Sequence, residues 1–140
     1  MELINNIIIL YEQIGEGILT RLSDSVKINI EKGIDKRIGA FTITLEIFVL
    51  KRTQYDDYGL VFATNAQVRS HYPETSSDNG GGLFIMSDLS SGDGEIIDST
   101  EEFVLFPNSK DSIDYTFKKI ELFVQTIAPS VYDIIAERYG

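Results

Sequence analysis

Between residues 39 and 50 the chain alternates, with Phe41, Ile43, Leu45, Ile47 and Val49 at every second position and Thr42, Thr44 and Glu46 between them. Successive side chains of an extended strand point to opposite faces, so this pattern predicts a strand with one face buried. The other face begins polar and ends apolar at Phe48 and Leu50. β-Branched and aromatic residues dominate the run, as a half-buried pleated surface favours. It is predicted to be the central strand. Before it, Val26, Ile28 and Ile30 alternate with Lys27, Asn29 and Glu31, and the polar run over residues 31–37 then breaks the pattern. That predicts a hairpin with a basic tip. After it, residues 51–57 supply turn material and residues 58–63 return as a third strand, completing an antiparallel meander.

Helical spacing flanks the strands. Leu3, Ile7, Leu10, Ile14, Ile18 and Leu22 step by three and four, which lines one face of an N-terminal helix, with Ile4, Ile8 and Tyr11 widening the stripe. Ile113, Phe117, Ile120, Val124 and Ile127 do the same for a closing helix that Ser109 or Asp111 can cap. Pro129 lacks an amide donor and clashes one turn back, so a kink or a restart is expected there. Residues 64–78 read equally as a short helix or an irregular crossover. The run Asn79-Gly80-Gly81-Gly82 is a turn before a strand at residues 83–86. Residues 87–98, rich in Ser, Gly and Asp, read as a mobile loop, and residues 103–106 as the last strand. The expected fold is therefore α+β: an antiparallel sheet of about five strands, with helices packed on one face.

At 140 residues the chain matches a single domain, and an apolar fraction of 43% suits a globular one. Twelve basic and 22 acidic residues give a net charge of −10, which repels phosphate backbones and anionic membranes. Neither nucleic acid nor membrane is expected as a partner. The acidic surface reads first as a solubility device, and the sharper reading is that it faces a basic protein segment or partner. Without cysteine there is no disulfide framework and no thiolate chemistry. The N-terminal residues lack the pattern of a signal peptide, so a cytoplasmic location is expected.

Candidates for chemistry are few. His71 is the lone histidine and no nucleophile-elbow motif accompanies it, so a His71-dependent hydrolase is the weakest of the readings and no catalytic residue is assigned. Asp78, Asp88, Asp93, Glu95 and Asp98 do not follow the calcium-loop spacing, and residues 79–82 lead to a strand without the Lys-Ser/Thr of a phosphate cradle. No cofactor and no metal ligand set is expected. More informative is the apolar surplus: Phe48, Leu50, Leu60, Phe62, Phe84 and Met86 sit on strands that are apolar on both faces. A closed core, a dimer interface and a groove for an extended peptide all remain open readings of that surplus.

The element order, together with Asp78-Asn79-Gly80-Gly81 before Leu83-Phe84-Ile85 and Val104-Leu105-Phe106-Pro107 leading into Phe117-Lys118-Lys119-Ile120, resembles the type III secretion effector chaperones of the Tir-chaperone-like family. Proteins of the YbjN type share that fold. The resemblance implies a homodimeric, non-enzymatic protein that holds an extended segment of a partner, and Ile43, Leu45, Phe48, Phe62 and Phe84 are the expected contact area. The alternative expectation is an acidic immunity or antitoxin protein that neutralises a basic toxin through Asp88, Asp93, Glu95 and Asp98.

Overall fold

Among the described residues seven elements follow one another: α1 (Glu2–Leu22), β1 (Val26–Asp35), β2 (Ala40–Val49), β3 (Gly59–Arg69), β4 (Gly82–Ser91), β5 (Ile96–Leu105) and α2 (Lys110–Tyr139). They come from a computed structural model that describes residues 2–22, 26–35, 40–50, 59–69, 82–105 and 110–139. Each strand pairs antiparallel with the next, so the sheet order is β1-β2-β3-β4-β5, and the central strand is β3 and not, as expected, β2, which lies second from the edge.

Register decides what each face carries. Ile30, Leu45, Phe62 and Leu89 stand opposite one another across four strands, as do Lys32, Ile43, Thr64 and Ser87 one step along. Leu45, Phe62 and Leu89 are fully buried, together with Ile43, Ile47 and Ile85 on the same face. The helices cover this face. The Tyr11 hydroxyl of α1 lies 2.7 Å from the Thr64 hydroxyl of β3, and Tyr11 packs against the Phe62 ring at 6.3 Å between centroids. From α2, Lys119 Nζ reaches Glu102 of β5 at 2.7 Å, and Glu102 stands beside the core residue Ile85. Arg21 over the Tyr132 ring, at 4.0 Å, joins the two helices. Leu3, Ile7, Leu10 and Ile18 from α1 and Ile120, Val124, Val131 and Ile135 from α2 complete one core.

Several strands run further than alternation alone predicts. β1 continues through Asp35, so the polar run 31–35 is strand and not turn, because Glu31 to Asp35 pair in register with Thr44 to Ala40. β3 likewise extends to Arg69, which settles residues 64–69 as strand, while 70–78 lie outside the described residues. The largest correction concerns residues 87–98. They form no mobile loop: β4 runs to Ser91 and β5 begins at Ile96. Ser91 N donates to Glu95 O at 2.8 Å, Gly94 N to Ser91 O at 2.9 Å and Glu95 N to Asp93 Oδ1 at 3.1 Å, closing the turn tightly. Polar composition misled here because Ser87 hides its hydroxyl against Thr64 at 2.8 Å within the core.

α2 runs as one 30-residue helix through Pro129, so of the two expected outcomes the restart does not occur. Proline leaves the carbonyl one turn back without a donor. Gln125 and Pro129 are both exposed, so water can serve that carbonyl.

Candidate functional site at the sheet edges

An antiparallel sheet that does not close has two edges, each offering a row of backbone N–H and C=O groups to another strand. Here these are β1, which pairs only with β2, and β5, which pairs only with β4 among the described residues. A groove lies beside each edge, walled by the nearer helix.

At the β5 edge the groove has a volume of about 460 Å³ between Asp98 and Thr100 of the strand and Leu122, Phe123 and Ile127 of α2. Leu122 is 67% exposed, a large apolar side chain facing solvent. Lys119 also lines it, and its ammonium is held by Glu102, whose carboxylate pushes the lysine pKa up.

At the β1 edge a groove of about 540 Å³ runs between α1 and the strand. Ile28 and Ile30, both half-buried, form its floor. Ile9 and Leu19 stand on the helix flank, 52% and 37% exposed, and between them Glu12 and Glu16 project on successive turns. The strand's outer face carries Lys27 as well as Glu31, with Glu46 of β2 beside Asn29. Asn29 donates to Glu46 at 2.9 Å and to Glu31 at 3.2 Å, holding both carboxylates beside the edge.

The residues expected from sequence to bind a partner are dispersed. Ile43, Leu45 and Phe62 are wholly buried under the helices and offer no surface to a partner while the fold is intact. Phe48 and Phe84 face the other side of the sheet, half-buried, and stand at opposite ends of β3: Phe48 beside Gly59, Phe84 beside Gln67, about 27 Å apart along the strand. Strand alternation separates the two sets, since neighbours in sequence look to opposite faces.

The four acids of the alternative site are also divided. Asp88 is only 7% exposed on the face away from the helices, between Ala63 and Ser99, and burial pushes its carboxyl above the usual range. Asp93 accepts from Ser91 and from Glu95 N, which ties it to the turn. Glu95 and Asp98 are exposed, and Asp98 lines the groove at the β5 edge. His71 and Asp78 lie outside the described residues.

Sequence reasoning passed over Ile9, Leu19 and Leu122. The signal was present: each is a large apolar residue off the core stripe of its helix, and a residue off the stripe faces water or a partner. Among the described residues no group of three or more His, Asp or Glu side chains could hold a metal ion, and no helix is long and apolar enough to cross a membrane. Comparison with protein-family models, curated proteins and solved structures finds no match to this chain.

Proposed function

We propose that the protein is a non-enzymatic binding module that holds an extended segment of another protein along a sheet edge, in the manner of a secretion chaperone. One observation carries this reading: each edge strand adjoins an apolar groove, so backbone hydrogen bonds and side-chain pockets are offered side by side. Added-strand recognition uses those two elements, the backbone for affinity and the pockets for choice of side chain. The net charge of −10 favours approach of a basic segment.

Neutralising a basic toxin is the second reading, favoured by exposed Glu95 and Asp98 at the β4–β5 end. The footprint separates the two, because a toxin held by Glu95 and Asp98 covers the β4–β5 turn, whereas an added strand covers a sheet edge.

Amide hydrogen exchange tests the leading reading. An unfolded polypeptide with alternating apolar and polar residues is expected to slow exchange along β1 or β5 and to leave the central strand β3 unchanged. Unaltered exchange along both edges at saturating polypeptide would remove strand addition as the mode of binding.

A further inference from the structure

The two edges are not equivalent in charge. At β5, Asp98 shares its groove with Lys119, so both signs are present. At β1, the titratable groups lining the groove are Glu12 and Glu16, with no cation among them. They sit midway between two exposed apolar side chains. From Ile9 to Leu19 the helix rises about 15 Å, and Glu12 and Glu16 flank the midpoint of that span. Same-face residues of an extended strand recur about every 6.8 Å, so three of them cover about 13.5 Å. An apolar, a basic and a second apolar side chain at alternate positions therefore match Ile9, the glutamate pair and Leu19 in turn. The stem of a lysine or arginine can cross Ile28 and Ile30 while its charge reaches the carboxylates.

A second copy of the chain fits less well. β1 could pair with itself about a two-fold axis, since a register that sets Lys27 against Glu31 is self-complementary. But α1 lies over β1 and β2, so the joint would bring two α1 helices to about 10 Å. The Glu12 and Glu16 carboxylates of both copies would then meet across it. Four like charges oppose that pairing, and a cationic guest relieves the repulsion between the two already present.

We propose that the β1–α1 groove is a docking site for an extended protein segment of alternating pattern, apolar-x-basic-x-apolar, added as a sixth strand on β1 with its Lys or Arg between Glu12 and Glu16. This rests on the strand-addition reading above and names the edge and the chemistry of the guest.

The test uses the full chain and two capped heptapeptides, Thr-Val-Thr-Lys-Thr-Val-Thr and its counterpart with Glu in place of Lys, followed through the backbone amide shifts of β1 and β5. The Lys peptide is expected to shift β1 amides and to bind the Glu12→Lys/Glu16→Lys protein at least tenfold more weakly. The Glu peptide is expected to reverse that preference. Both substituted positions are exposed on α1, and circular dichroism verifies that the helix persists. Equal binding of the Lys peptide to both proteins overturns the assignment of the glutamates. Shifts confined to β5 and abolished by Leu122→Glu overturn the choice of edge while leaving strand addition intact. No shift at either edge with either peptide, up to millimolar concentration, removes strand addition itself. A dimer that forms through β1 and tightens in Glu12→Gln/Glu16→Gln makes the second copy the occupant and overturns the proposal.

Discussion

The hydroxyl of Tyr11 on α1 lies 2.7 Å from that of Thr64 on β3, and both residues are fully buried. Thr64 in turn lies 2.8 Å from Ser87 of β4, so three hydroxyls form a chain through the core beneath α1. Thr64 is its centre. Burial and the low polarity around it push the Tyr11 phenol well above its usual range, which keeps the hydroxyl protonated. Tyr11→Phe removes one end and leaves Thr64 bonded to Ser87, at an expected cost of about 1 kcal/mol. Thr64→Val removes both bonds and strands two hydroxyls, so a loss of roughly 2–4 kcal/mol is expected. Urea unfolding of the two variants checks the order; a Tyr11→Phe protein less stable than Thr64→Val would contradict it.

Phe62 and Phe48 provide a second comparison, because sequence alone assigned both to a binding surface. Phe62 is completely buried against Tyr11, whereas Phe48 is half-buried on the far face. Phe62→Ala opens a cavity in the core and is expected to cost about 3–5 kcal/mol, enough to unfold much of the chain. Phe48→Ala should cost well under half as much. Thermal denaturation of both decides it, and similar midpoints would mean that the register is misplaced.

How far the residues foretold this arrangement depends on the kind of signal. The period of two through Phe41 to Val49 and the 3,4 spacing of Leu3 to Leu22 located β2 and α1 to within about a residue, because apolar faces there meet water on the other side. The turn at Gly92 to Glu95 was hidden in a polar stretch, since Ser87 and Ser91 are buried through hydrogen bonds and not through apolar packing. Faces were the weak link. Assigning Phe62 and Phe48 to one surface needed the parity of β3 against β2, which pairing supplies and composition does not. The edge grooves were legible only as anomalies, in Ile9, Leu19 and Leu122 lying off their helical stripes.

Gly59 and Gly17 should answer alanine in opposite directions. Gly59 has φ +140°, a conformation open to glycine, and an added Cβ would fall 1.9 Å from the Ile47 carbonyl oxygen. Its own carbonyl accepts from Gly92 N at 2.8 Å, so moving that backbone also disturbs the β4–β5 turn. Gly59→Ala is expected to destabilise by about 3 kcal/mol or more. Gly17 is exposed within α1, and a Cβ there meets nothing within 4 Å. Gly17→Ala should therefore stabilise by about 0.5–1 kcal/mol. Chemical denaturation of the two variants tests the pair, and a destabilised Gly17→Ala protein would show that α1 needs more freedom than its packing implies.

Asp88 sets a pH dependence whose direction follows from its burial. Its carboxyl is pushed above the ordinary value of 3.8 by desolvation, and among the described residues no hydrogen bond or ion pair to its side chain offsets that. The folded state thus holds this proton more tightly than the unfolded chain. Linkage then makes the contribution of Asp88 most favourable below its unfolded pKa, and the contribution is lost as pH rises through the unfolded and then the folded value. At neutral pH the ionised carboxylate is a burden on stability. Asp88→Asn removes the charge at nearly constant shape and is expected to gain on the order of 1 kcal/mol at pH 7, a rise of a few degrees in Tm. That advantage should shrink toward zero as the pH is lowered past the ordinary carboxyl range, because Asp88 is then neutral in both states. Differential scanning calorimetry of the two proteins from pH 7 to pH 3 follows the difference directly. A gain that stays constant across that range would show that the substituted amide acts by packing and not by charge, and a loss at pH 7 would show that the native carboxylate has a stabilising partner.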